Sequence, residues 1–107
     1  MVVLRGEVWW AELPLPMGRR PVLLLSRDAA YAARTSVTIA VITSTIRNIP
    51  SQVLLDKEDE MPLRCVVNLD DINTIRKSSI KERITQLNEQ KMSAVREAIL
   101  FTLDLKL

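Results

Sequence analysis

The hydrophobic period of this chain changes once, near residue 88, and that change limits what it can fold into. Before it, apolar residues come in short alternating or continuous runs separated by turn residues. After it, Met92, Val95, Ile99 and Leu103 recur at helical spacing, so one stripe is available to pack on a sheet. Short strands followed by a single terminal helix predict an α+β domain. The expected form is a small, mostly antiparallel, curled β-barrel with a C-terminal amphipathic helix. At 107 residues the chain is read as one domain, 1–107.

The elements follow from local pattern. Residues 6–13 alternate, with Trp9, Ala11 and Leu13 on one face and Val8, Trp10 and Glu12 on the other. Residues 14–18 form a turn. Residues 20–26 read as a second strand, with Pro21 near its start, where a strand tolerates proline. Residues 28–33 form a connection with one helical turn. The β-branched run 37–43 is a third strand. Strands at 52–55 and 64–68 flank an acidic loop, and 72–75 and 83–87 are weaker strand candidates. Asn88 is an N-cap with Glu89 in the first turn, opening a helix over 89–103.

Composition narrows the chemistry. No apolar run approaches the ~20 residues of a membrane span. Glu7 and Glu12 interrupt the N-terminal apolar patch, so no signal peptide is expected. One cysteine, Cys65, cannot form an internal disulfide, which fits a reducing cytoplasm, and its apolar neighbours mark it as a small core residue. With no histidine in the chain, no imidazole is present for acid–base work. No metal site and no cofactor are expected.

Charge is distributed unevenly. From 19 to 47 there are five arginines, Arg19, Arg20, Arg27, Arg34 and Arg47, against Asp28 alone. A second basic cluster is Arg76, Lys77, Lys81 and Arg83. If the fold joins them, they form a phosphate-binding face; either cluster alone reads as solvated loop. If strands 20–26 and 37–43 pair antiparallel so that Ser26 faces Val37, Arg20 falls opposite Thr43. A guanidinium and a hydroxyl then converge at one end of the pair, with Arg19, Ser44, Thr45 and Arg47 nearby. A two-residue slip would weaken that convergence.

Arg5-Gly6-Glu7-Val8-Trp9, then Arg20-Pro21-Val22-Leu23-Leu24-Leu25-Ser26, then Ile42-Thr43-Ser44-Thr45 and a terminal helix, resembles the MazF/PemK family of bacterial toxin ribonucleases. The resemblance runs nearly the whole chain. It implies the barrel shared with the gyrase poison CcdB, a homodimer, and metal-independent cleavage of single-stranded RNA. It also implies a cognate antitoxin that lays a flexible, acidic and apolar tail over the RNA groove. Arg20 matches the family's catalytic arginine before proline, and Thr43 its catalytic threonine. The 70–75 stretch matches a family segment that places Asn73 and Arg76 on RNA, and Lys77 follows them. Two differences stand out. The loop between the first strands is only 14–18, which removes the loop glutamate sometimes proposed as a base. Thr85 stands where many members have glycine.

The chemistry implied is attack of the RNA 2′-hydroxyl on the adjacent phosphorus. The products are a 2′,3′-cyclic phosphate and a 5′-hydroxyl. An arginine fork suits the developing phosphoryl charge, and Thr43 adds a neutral hydrogen bond. Arginine is a poor base, so the base is unassigned, with Glu12 the nearest carboxylate and a weak candidate. Trp10 and Tyr31 are candidates to stack an unpaired base. The commoner fate of a residue like Trp10 is burial at a dimer contact. Two alternatives stand beside the ribonuclease: a gyrase poison, which the tail 102–107 argues against for want of an aromatic and glycine, and an RNA-binding module without catalysis.

Overall fold

In a computed structural model, residues 2–106 are described. The strands are β1 Glu7–Glu12, β2 Arg19–Leu24, β3 Ser36–Thr43, β4 Gln52–Leu55, β5 Cys65–Arg76 and β6 Ile80–Gln86. The helices are α1 Asp28–Ala33 and α2 Glu89–Thr102. The strands form one sheet in the order β4-β5-β3-β2-β1-β6, every neighbour antiparallel. The sheet is curled into a half-barrel, as expected of the α+β pattern. No helix among the described residues is long and apolar enough to cross a membrane.

Strand alternation divides the interior in two. Val8 and Leu23 join Ala40, Ile42, Leu55 and Val67 in one core, which α2 covers with Val95 and Ala98 while Met92 and Ile99 pack at its margin. Trp9, Ala11 and Leu13 point the other way, into a second core with Val22, Leu24, Ile39, Val41 and Tyr31 of α1. The face assignment for 6–13 therefore matches the observed packing. The continuous apolar run of β2 is explained by burial on both faces.

The helix departs from expectation at one residue. The predicted stripe includes Leu103, but α2 ends at Thr102 and Leu103 is its C-cap, 54% exposed. The Leu105 N–H donates to the Leu100 carbonyl at 2.8 Å and Asp104 N–H to the Phe101 carbonyl at 3.2 Å. Asp104 takes the left-handed conformation that closes this cap. The turn swings Leu103 off the sheet, and Ala98 fills the stripe instead. The opening cap is the predicted one: the Asn88 Oδ1 accepts from Lys91 N–H at 2.8 Å.

Arg5 to Trp9 locks the two cores together. The Arg5 N–H donates to Asp28 Oδ1 at 2.6 Å, and the Arg5 guanidinium donates to the Leu25 carbonyl. Glu7 is 6% exposed. It accepts from Leu4 N–H at 2.7 Å, the Trp9 indole at 3.2 Å and Arg83 Nε at 2.7 Å. Gly6 has φ +88, and a Cβ there would lie 3.4 Å from the Met92 sulfur of α2. Gly6→Ala is expected to cost about 1–2 kcal/mol, the penalty of a left-handed non-glycine residue. Chemical denaturation checks this, and an unchanged midpoint would refute it.

The largest departure lies in β5. The expected strands at 64–68 and 72–75 are one continuous strand. Its register against β3 jumps from Val41↔Asn68 to Ala40↔Ile72, so residues 69–71 have no β3 partner. This bulge is anchored on the other side. Leu69 N–H donates to the Ser51 carbonyl at 2.8 Å, and the buried Ser51 hydroxyl donates to Asp70 Oδ2 at 2.5 Å.

Candidate nucleic-acid interface

β2 and β3 pair through Val22↔Val41, Leu23↔Ala40 and Leu24↔Ile39. This is the register predicted from sequence. The ladder stops two residues short of Arg20 and Thr43. Beyond that point each strand stays held by its outer neighbour, Arg20 facing Ala11 of β1 and Thr43 facing Val66 of β5. The two strands therefore part while remaining fixed, and a cleft opens on each side of the parting.

Arg20 and Thr43 line both clefts, with Met17 between them. The first, about 300 Å³, is largely apolar. Trp10, Pro21, Ile42, Met61 and Leu63 form its walls, with Arg19, Ser44 and Arg64 contributing polar groups. The second, about 220 Å³, is polar and is lined by Thr45, Arg47, Gln52, Asn68 and Asp71. Arg20 is held by its Nε, which donates to the Met17 carbonyl at 3.3 Å. Its terminal nitrogens are left to meet an anion. Thr43 Oγ1 accepts from Thr45 N–H at 3.3 Å, so its hydroxyl hydrogen remains to be donated. The loop that follows is fixed by Gln52, which accepts from Arg47 N–H at 2.8 Å and donates to the Thr45 carbonyl at 3.2 Å. Gln52 sits in a correctly predicted strand, but its bracing role depends on a loop conformation that no sequence pattern displays.

The other predicted site residues divide. Arg19 lies over the Trp10 ring at 5.0 Å and pairs with Glu82 at 3.3 Å. It is thus at the cleft mouth, with one Trp10 face beneath it. Asn73 and Arg76 line a separate cleft of about 490 Å³ under the 14–17 turn, and Met17 separates this from the Arg20–Thr43 clefts. Lys77 is turned elsewhere, its Nζ donating to the Tyr31 carbonyl at 2.6 Å. Its assignment as an RNA contact is corrected to a brace of α1.

Tyr31 is corrected as well. It is 5% exposed in the second core, leaving no ring face for a base to stack on. Burial, with Asp28 nearby, pushes its phenol up to about 12. The two basic clusters do not merge as a whole. Arg83 is engaged by Glu7, and Arg27 and Arg34 flank α1 at the opposite end of the β2–β3 pair. What converges is Arg19, Arg20, Arg47 and Arg64. Arg64 was not singled out from sequence because the turn that carries it to the cleft is invisible there. Glu12 is exposed and lines neither cleft. Cys65 is buried, as expected, and burial together with Asp59 and Asp56 pushes its thiol up, away from nucleophilic use.

A curled antiparallel sheet, a covering helix and an arginine–threonine pair between two clefts define a small toxin-type half-barrel. Residues 4–103 match the model of the PemK-like, MazF-like toxin of type II toxin–antitoxin systems, and the chain belongs to that family. It is 39% identical over 101 residues to the probable endoribonuclease MazF5 of Mycobacterium tuberculosis, covering 94% of this chain and 92% of that one. Among solved structures, the Mycobacterium tuberculosis toxin MazF-mt6 superposes with a TM-score of 0.87 at 31% identity, covering 94% of this chain and 99% of the other. A mycobacterial endoribonuclease in complex with its cognate antitoxin gives a TM-score of 0.86 at 28% identity, covering 98% of each chain.

Proposed function

We propose that this chain is an endoribonuclease toxin that cuts single-stranded RNA at short sequences without a metal ion, using the RNA's own 2′-hydroxyl as nucleophile. The observation that carries the reading is the placement of Arg20 and Thr43 on the ridge between two clefts. A phosphodiester seated on that ridge puts one nucleoside in each cleft. The wide apolar cleft beside Trp10 suits a stacked base. The narrow polar cleft suits a ribose and its hydrogen-bonding groups. Arg20 clamps the phosphoryl oxygens in the bidentate manner guanidinium allows, and Thr43 donates to the same oxygens as charge builds in the transition state. Arg19, Ser44, Thr45 and Arg47 bind the backbone on either side, and Asn73 and Arg76 extend the track past Met17.

The toxin works in the cytoplasm as a homodimer, and a cognate antitoxin silences it. The family match to toxins of type II toxin–antitoxin systems and the relative solved with its cognate antitoxin support the antitoxin. A flexible acidic and apolar tail fits a surface where Arg19, Arg20 and Arg64 line an apolar cleft and Arg47 the polar one beside it, and it would occupy the RNA's place.

The test is incubation of the purified protein with mixed-sequence single-stranded RNA in excess chelator, with mapping of product ends. Cyclic-phosphate termini are expected. Thr43→Val should cut about a hundredfold more slowly, the order lost when one transition-state donor is removed. Cleavage at full rate by that variant would remove Thr43 from the mechanism. RNA binding without cleavage by the wild type would remove the enzymatic reading.

A further inference from the structure

We propose that Asp71 is the general base that takes the proton from the attacking 2′-hydroxyl. The proposal rests on the ribonuclease reading and supplies the group that reading lacks. Among the described residues, Asp71 is the one carboxylate lining either cleft that Arg20 and Thr43 share. The fold places it there by a specific device. Asp71 is the last residue of the 69–71 bulge, the stretch of β5 without a β3 partner. Bulges re-aim side chains, and this one directs Asp71 into the polar cleft instead of along the sheet.

The bulge is also tied down by hydrogen bonds on both sides of Asp71. Asp70 is tied to Ser51 at 2.5 Å, and its N–H donates to Asn68 Oδ1 at 3.1 Å. The Asn73 side-chain amide donates to Asp71 Oδ1 at 2.6 Å, restraining a carboxylate that lines the cleft and leaving Oδ2 outside that bond. Arg20 and Arg47 line the same cleft, so an RNA phosphate is drawn past the carboxylate rather than repelled by it.

The step balances simply. Asp71 Oδ2 accepts the 2′-hydroxyl proton as the 2′-oxygen forms its bond to phosphorus. The bond from phosphorus to the 5′-oxygen breaks, and that oxygen leaves with a proton from water. Asp71 then returns its proton to solvent. Glu12, the carboxylate nearest in sequence, lines neither cleft and cannot serve.

The experiment compares wild type, Asp71→Asn, Asp71→Glu and Arg20→Ala on one defined single-stranded RNA and on a mixed-sequence pool, from acid to alkaline pH, with circular dichroism as the fold check. Asp71→Asn is expected to slow the chemical step about 100- to 10,000-fold, the range for loss of a positioned base. RNA binding should be largely retained, and the acid limb of the pH–rate profile should disappear. Asp71→Glu keeps a carboxylate and should recover part of the rate with the limb restored. Two outcomes would overturn the proposal: Asp71→Asn cutting at wild-type rate but at different sequences, which makes Asp71 a base reader, or a slowed Asp71→Asn that keeps the wild-type pH profile. Failure of the ribonuclease reading itself is separate, since then the wild type would not cut and Arg20→Ala would match it.

Discussion

Arg20→Ala is expected to lower the rate of RNA cleavage at least a thousandfold while leaving the fold intact. The size follows from what the residue does. A single neutral donor to a developing oxyanion is worth roughly 100- to 1,000-fold, and an arginine on a phosphoryl transition state is worth about 10³–10⁵. Stability should hardly move, because among the described residues the Arg20 side chain makes one hydrogen bond, the 3.3 Å contact to the Met17 carbonyl at a turn. Single-turnover cleavage beside a denaturation curve separates the two effects. A variant that lost activity and unfolded together would show Arg20 to be structural. Arg20→Lys should recover little, since an ammonium cannot reproduce the fork.

The second large effect is on stability and lies outside the clefts. Removing the Glu7 carboxylate strands three donors: Leu4 N–H, the Trp9 indole and Arg83. Arg83 is about half exposed, and water compensates it in part. Glu7→Ala should therefore cost about 2–3 kcal/mol, less than a fully buried pair. That corresponds to a melting point lower by about 10–20 °C in a domain of this size.

The acid dependence has a defined sign. Burial raises the Glu7 pKa, but the hydrogen bonds from Arg83, Leu4 and Trp9 outweigh it, and the carboxyl titrates below its ordinary value of 4.5. A carboxylate depressed in the folded state stabilises above its unfolded pKa. That stability is lost as pH falls through the folded value. The stability gap between wild type and Glu7→Gln should consequently narrow as pH falls below the ordinary carboxyl value of 4.5 and on through the depressed folded value. A gap that stays constant across that range would show that the charge contributes nothing.

Much of this protein was legible in its residues, and the parts that were not share a cause. The β2–β3 register, the 52–55 strand, the Asn88 cap and the opposed faces of Trp9 and Trp10 all depend on local period, and period is written in sequence. The β5 bulge was hidden because Leu69-Asp70-Asp71 breaks the alternation and so reads as an interval between two strands. Asp71 went unassigned for the same reason, since its direction is set by a bulge that Ser51 and Asn68 anchor at Asp70 and by the Asn73 amide. Lys77, Arg83 and Tyr31 were judged from type and neighbourhood. Each has a partner or a burial decided by residues 46 or more positions away, or by the curl of the sheet. The motif of residues 5–9 carried part of the family resemblance, yet its side chains hold the fold together and line neither cleft that Arg20 and Thr43 share.

If Arg20 and Thr43 act as proposed, the parting of β2 from β3 ties catalysis to a correctly formed sheet. Arg20 and Thr43 are brought to one ridge by a ladder of three observed pairs, and each is gripped by a different outer strand. A chain that collapsed with those strands one residue out of step would turn one of the two side chains to the opposite face. On the proposed mechanism it would bury a plausible core and still fail to cleave. On the proposed mechanism, cleavage would therefore belong only to molecules that have completed this part of the sheet.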